Sequence, residues 1–254
     1  MCIKRLKMPN IREVGHSSFL LNEKNVIDAG DILRHLGEKS VMLERVWLTH
    51  SHLDHIVDLA FIVDEYFEKR TKTLKIMANK ETIDALKTHV FNNTIWPDFS
   101  NIPLANGNMA LSYEAVELGS TYSVGEGQEI QAFFGDHTVA SLGYIVSEES
   151  HAILIASDTH ALGHVVSLVE ENTSISTLVL ECSFPSSMLE LARVSKHLTP
   201  SLLFEGMKPL EDRGLKLYVN HIKPSYKKEI IREIEIRKGT WDVSILEEGE
   251  RIDF

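Results

Sequence analysis

The residues with the most chemistry in them occupy seven consecutive positions, Thr49-His50-Ser51-His52-Leu53-Asp54-His55. Four of the seven are metal ligands by type, spaced His-x-His-x-Asp-His. His50 and His52 are two residues apart, so in an extended or tightly turned segment both reach one ion. Asp54 and His55 then face another side of the turn. One turn can therefore feed two adjacent metal sites. Neither is complete alone, because a catalytic zinc typically has about three protein ligands and a water. The chemistry implied is metal-assisted hydrolysis, in which a cation acidifies water and polarises the bond under attack.

The missing ligands are sought where strands end. His137 follows Ile130–Phe134, Asp158 follows the strand reaching Ser157, and His221 follows Leu215–Asn220. A carboxylate can bridge two cations, since its two oxygens bind separately. The expected sets are His50, His52, His137 and Asp158 on one ion, and Asp54, His55, Asp158 and His221 on the other. His16, His35, His151 and His164 have no motif around them and read as surface or structural. His89 and His160 lie nearer the residues of interest.

The elements that must position these groups follow from periodicity. Val41–Thr49 reads as the strand that delivers the ligand turn. Ile56–Arg70 reads as the helix leaving it, with apolar residues at Ile56, Leu59, Ala60, Ile62, Val63, Tyr66 and Phe67. Upstream, Phe19–Leu21 and Val26–Ile27 form a hairpin around Asn22–Asn25, and Asp31–Gly37 is a short helix. Leu74–Ala78 is a strand and Lys80–His89 a helix. Further strands are Leu142–Val146, Ala152–Ser157, Thr177–Glu181 and Trp241–Leu246. Helices fit at about 160–171, 186–194, 199–208 and 225–238, the last with Ser225 as its N-cap. Hairpins mixed with helical crossovers predict two packed sheets with helices outside. Phe91–Phe99 follows neither period. It is either a packed loop or a wall of the substrate pocket, where an aromatic ring stacks on a base.

Composition narrows the class. A net charge of −11 argues against a general nucleic-acid surface, which would be basic. It leaves room for a small anion beside bound cations. No run approaches the roughly 18 apolar residues of a membrane span. The basic start, Met1–Lys7, is not followed by an apolar stretch before Pro9, so no export signal is read and the cytoplasm is the expected compartment. Cys2 and Cys182 suit a reducing compartment, with Cys182 expected to be buried in a strand. Without repeats or linkers, residues 1–254 are expected to form one domain.

Thr49–Ile56 resembles the signature of the metallo-β-lactamase superfamily. The form His50-Ser51-His52-Leu53-Asp54-His55-Ile56 resembles class II 3′,5′-cyclic-nucleotide phosphodiesterases. Phe91-Asn92-Asn93-Thr94-Ile95-Trp96-Pro97-Asp98-Phe99-Ser100 resembles a segment of that family. So do Asp136–Tyr144, Glu181–Pro185, His197–Pro200 and Lys223–Tyr226. The similarity runs over about residues 17–235. It implies an αββα sandwich, two mixed β-sheets flanked by helices, with a dinuclear centre at one edge between the sheets. The ligands carried over are His50, His52, Asp54, His55, His137, Asp158 and His221.

Two divalent cations are implied, usually zinc, although His and carboxylate ligands suit zinc, iron and manganese alike. The implied reaction is hydrolysis of cyclic AMP or cyclic GMP to the nucleoside 5′-monophosphate by a metal-bridging hydroxide. Asp54 would orient that hydroxide. His197 would contact the phosphate or protonate the leaving oxygen. Phe91, Asn92, Asn93 and Trp96 would contact base or ribose. The expected partner is a small cyclic nucleotide, with no stable nucleic acid and no membrane, and the resemblance implies a homodimer.

Two departures leave the nucleotide preference open. The N-terminal region lacks the glycine-rich opening of many members. Ser157-Asp158-Thr159-His160 stands where many relatives have Gly-Asp-Thr-Gly. The alternatives are a tRNA 3′-processing nuclease, for which no basic arm is present, a lactone or thioester hydrolase, and a non-catalytic binding protein, which would be expected to lose ligands.

Overall fold

Runs such as Val26-Ile27, Val46-Trp47-Leu48 and Ile76-Met77 are apolar on both faces, and a strand buried on both faces must be so. The computed structural model describes residues 10–13 and 17–254. Its first sheet contains β1 (Asn10–Glu13), β2 (Phe19–Asn22), β3 (Asn25–Ile27), β4 (Arg45–Trp47), β5 (Leu74–Ala78) and β6 (Leu111–Ala115). The second contains β7 (Thr121–Gly125), β8 (Gln128–Gly135), β9 (Ser141–Glu148), β10 (His151–Ile155), β11 (Ile175–Glu181), β12 (Lys216–Asn220) and β13 (Asp242–Ile245). The chain then returns to the first sheet, where β14 (Arg251–Asp253) pairs antiparallel with β1. Strand orders are β14-β1-β2-β3-β4-β5-β6 and β13-β12-β11-β10-β9-β8-β7. Both sheets are mixed: β3 to β6 and β10 to β13 run parallel, and the other pairings are antiparallel.

The helices are α1 (Leu33–Leu36), α2 (Leu53–Ile56), α3 (Leu59–Asp64), α4 (Lys80–His89), α5 (Gly163–Glu171), α6 (Leu189–Ser195), α7 (Pro200–Met207) and α8 (Lys227–Arg237). Alternation along the strands sorts the core into layers. Ile27, Trp47 and Met77 face inward and meet Tyr144, Ile153, Val179 and Tyr218 of the second sheet. Val26, Val46 and Ile76 face outward onto Leu59, Ile62 and Leu86. Leu154, Leu178 and Leu217 face the other way onto Val165, Leu203 and Ile230. The result is helix, sheet, sheet, helix, as predicted. Among the described residues, no helix is long and apolar enough to cross a membrane.

Two polar ties lock the ligand turn to the opposite sheet. The Tyr144 hydroxyl donates to the Leu48 carbonyl (2.8 Å), and the Leu142 amide donates to the Thr49 carbonyl (2.9 Å). The Trp47 indole is satisfied by Asn25 Oδ1 (3.2 Å). Next to Tyr144, Gly143 lies beneath the Phe133 ring; a Cβ there would sit 2.1 Å from Phe133 Cζ. Gly143→Ala must therefore displace a core ring, and overpacking of this kind costs about 1–3 kcal/mol. Thermal unfolding should fall by several degrees, and an unchanged midpoint would refute this account of the glycine.

Several boundaries depart from the periodicity. The strand read as Val41–Thr49 shrinks to Arg45–Trp47, because Gly37–Met42 winds as a 3₁₀ helix. The buried Arg70 guanidinium holds that turn by donating to the Ser40 and Leu43 carbonyls (2.9 Å each). The helix read as Ile56–Arg70 is broken, and its first turn begins earlier, at Leu53. Asp58 causes the break: its amide donates to Ala29 (2.9 Å) and its carboxylate accepts from the Leu33 amide (2.7 Å). Ser225 does not cap α8; it lies in a 3₁₀ turn, Pro224–Tyr226, and Tyr226 takes the cap position. β1, β6, β7 and β14 were not predicted, being short or weakly alternating. Cys182 is buried, just beyond the end of β11. Met1–Pro9, with Cys2, and His16 lie outside the described residues.

Candidate metal centre

All seven predicted ligands converge at one end of the two sheets. The turn after β4 supplies His50, His52, Asp54 and His55. The ends of β8, β10 and β12 supply His137, Asp158 and His221. Ligand atoms of His50, His52, His137 and Asp158 all lie within 4.8 Å of one another, as do those of Asp54, His55 and His221. Asp158 sits between the sets. Its Oδ2 is 3.8 Å from His50 Nε2, 3.7 Å from His137 Nε2 and 3.6 Å from His55 Nε2, while its Oδ1 is 3.5 Å from His221 Nε2. His52 Nδ1 approaches His137 Nε2 to 3.2 Å, and His221 Nε2 approaches Asp54 Oδ2 to 3.1 Å.

What turns the imidazoles inward is a set of partners on their outer nitrogens. His55 Nδ1–H donates to Asp28 Oδ2 (2.7 Å). The Thr49 hydroxyl donates to the same oxygen (2.8 Å) and accepts from His50 Nδ1 (3.0 Å). His137 Nδ1 donates to the Lys196 carbonyl (3.1 Å). Ser183 Oγ donates to Glu181 Oε2 (2.9 Å) and accepts from His221 Nδ1 (2.9 Å). Such outer partners fix ring tautomer and orientation in metal sites. The backbone is held in the left-handed region at Asp28, Ser157, Lys196 and His221, with φ of 56°, 53°, 51° and 53°. Non-glycine residues adopt it rarely and where function over-determines them.

The donor set fits a cation. His50 Nε2, His55 Nε2 and Asp158 Oδ1 are buried without a hydrogen-bond partner. An unpaired buried acceptor costs about 1–3 kcal/mol, and His50 Nε2 and Asp158 Oδ1 are both relieved by positive charge placed between them. Burial drives His50 down to about 2 and His137 to about 4, so both are neutral and ready to donate a lone pair. For His55, burial opposes the cation, but Asp28 and Asp158 prevail and raise it to about 10. A cation entering there must displace that proton. A hydrogen bond from His221 holds Asp54 well below the usual carboxylate range.

His197 is brought to the same place, its ring stacked on His221 with centroids 5.5 Å apart. Its Nδ1 is 4.0 Å from Asp158 Oδ2, and Asp158, His197 and His221 could also gather a metal. That nitrogen, however, already donates to Glu181 Oε1 at 2.7 Å. Against burial, Glu181 raises the His197 pKa. His160 donates to the His197 carbonyl (2.9 Å), so it supports the segment rather than facing the centre.

The predicted base-contacting residues are not brought to the centre. Phe91 is 2% exposed, packed in the outer core of the first sheet. The Asn92 and Asn93 side-chain oxygens accept from the amides of Thr94, Ile95 and Asp98, which stabilises the loop itself. Trp96 packs edge-on against Phe61. The loop's aromatic and amide content reflects its own packing. Two residues were missed, Asp28 and Glu181. The signal that found Asp158, an acid at a strand end, applies to both, since they close β3 and β11.

Two seven-stranded mixed sheets with helices outside and a His/Asp cluster at their edge define a metal-binding protein of the metallo-β-lactamase fold. The metallo-β-lactamase-fold protein YhfI of Bacillus subtilis has the same architecture, with TM-score 0.74 and 16% identity over 96% of this chain and 99% of that one. Residues 16–137 match the family model of class-II cAMP phosphodiesterases. A probable 3′,5′-cyclic-nucleotide phosphodiesterase of Yersinia pestis is 25% identical over 241 residues, covering 82% of this chain and 67% of that one. The crystal structure of unliganded yeast PDE1 superposes with TM-score 0.77 at 20% identity, over 95% of this chain and 96% of that one.

Proposed function

We propose that this chain, as one domain, holds two divalent cations, zinc by expectation, and hydrolyses 3′,5′-cyclic nucleotides to nucleoside 5′-monophosphates. The observation that carries the reading is the convergence of three buried, unpartnered atoms, His50 Nε2, His55 Nε2 and Asp158 Oδ1, on one space. His50, His52, His137 and Asp158 would hold one cation, and Asp54, His55, Asp158 and His221 the other. Bound there, the cations supply an acidified water and positive charge against the phosphoryl oxygens.

The residues around them supply position and protons. Asp28 and Glu181 hold His55 and His197 in place, each through a 2.7 Å bond. Asp54 is ionised and its side chain is 47% exposed, so it can accept a hydrogen bond from the attacking water and keep that water in line. Hydrolysis forms a bond from the water oxygen to phosphorus, breaks the bond from phosphorus to O3′, and delivers one proton to O3′. His197 is the source of that proton. Its Nδ1–H is committed to Glu181, which leaves Nε2 to donate, and Glu181 raises its pKa in favour of the protonated form.

Purified protein should contain about two equivalents of metal and convert cyclic AMP to 5′-AMP. Chelation should abolish turnover, and added zinc or manganese should restore it. Metal-loaded protein that leaves cyclic AMP and cyclic GMP intact, while cleaving a lactone or another phosphodiester, would overturn the assignment.

A further inference from the structure

The cavity beside Asp54 and His221 is not accounted for by the ligand set. It measures about 330 Å³. Small-molecule sites run from about 300 to 1,000 Å³, so this space is large enough for one small ligand. Asp54 and His221 close one end, and Ile222, Ile245 and Leu246 form an apolar side. That side is fixed in place, because the Leu246 amide donates to Val219 of β12 (2.9 Å).

Two lysines line the cavity, and they differ. Lys227 at the rim is taken by Glu247, whose two oxygens lie at 3.1 and 3.2 Å. Lys223, two residues beyond His221, is half-buried, and its backbone starts the Pro224–Tyr226 turn. Among the described residues its ammonium has no hydrogen-bond or ion-pair partner. In a chain of net charge −11 carboxylates are plentiful, so a half-buried lysine on the cavity wall with no carboxylate partner suits an anion.

We propose that this cavity is the nucleotide subsite, with Lys223 holding a non-bridging phosphoryl oxygen and Ile222, Ile245 and Leu246 backing the nucleoside. The inference rests on the cyclic-nucleotide reading above. An ammonium is a compact point charge suited to phosphate, and a charge-assisted hydrogen bond is stronger than a neutral one. The phosphoryl group would lie at the Asp54–His221 end and the nucleoside along the apolar side.

The test is calorimetric titration of the metal-loaded protein with 5′-AMP and with adenosine. Lys223→Gln should weaken 5′-AMP about 10- to 100-fold, the range for a hydrogen bond to a charged group. Adenosine binding, metal content and melting temperature should not move, KM for cyclic AMP should rise by a similar factor, and Lys223→Arg should recover much of the loss. Leu246→Ser should weaken both ligands alike. Equal 5′-AMP binding by wild type and Lys223→Gln would overturn the assignment, as would equal loss of both ligands in Lys223→Gln. If wild type turns over cyclic AMP while Lys223→Gln is indistinguishable from it, this subsite falls and the activity stands. If wild type turns over no cyclic nucleotide, the activity falls first.

Discussion

Asp158→Ala should reduce turnover by at least about 10³-fold and lower bound metal from two equivalents to one or fewer. The carboxylate faces both ligand sets, with Oδ2 3.6–3.8 Å from three histidines and Oδ1 3.5 Å from His221. Removing it takes a ligand from each set and leaves His50 and His55 facing each other, ring centroids 4.1 Å apart, with no anion between. Metal assistance is worth several kcal/mol, and each 1.36 kcal/mol is tenfold in rate. The fold should survive, because the strands delivering the ligands are set by apolar cores on either side. Elemental analysis, circular dichroism and turnover on one preparation make the check. A folded variant retaining two ions would show that Asp158 is not shared.

The second large effect concerns His197. His197→Ala should lower kcat about 10²- to 10⁴-fold, the range for general acid catalysis, with KM and metal content near wild type. The loss should be small on a diester with a p-nitrophenolate leaving group, which departs without a proton. An equal loss on both substrates would exclude the acid role. Glu181→Gln tests the same idea through pH. Burial alone lowers the His197 pKa, and the Glu181 carboxylate raises it. The active form is protonated, so activity is present below that pKa and lost above it. Removing the charge lowers the pKa, and the alkaline limb of the rate profile should move to lower pH. A limb that stays in place would assign it to another group.

Much of the centre was legible because its ligands obey a rule visible in the sequence: short polar side chains immediately after apolar strands. All seven predicted ligands and His197 meet in the structure. The two sheets were legible from apolar runs too dense for one buried face. What periodicity could not show was decided by polar contacts between distant segments. Arg70 wound residues 37–42 into a 3₁₀ turn through carbonyls some thirty positions upstream. Asp58 broke a helix by binding Leu33. Phe91 was misplaced for a related reason, since an aromatic loop reads the same whether its rings face a ligand or a core. Asp28 and Glu181 carry the same strand-end signal as Asp158, but their partners, His55 and His197, are 27 and 16 positions away, so the roles show only in the fold.

The predicted ligands come from four separated places in the chain, and this has a consequence for how the protein is made. The ribosome delivers His50–His55 early, but His221 lies 166 residues beyond His55. At about 5–20 residues per second, synthesis takes roughly 10–30 s to cover that interval. Through the first 103 of those residues the nascent chain carries the predicted ligands His50–His55 without Asp158 to bridge them. Secure metallation must therefore await the second sheet, which makes ion capture a late event in maturation and leaves truncated products without a complete centre.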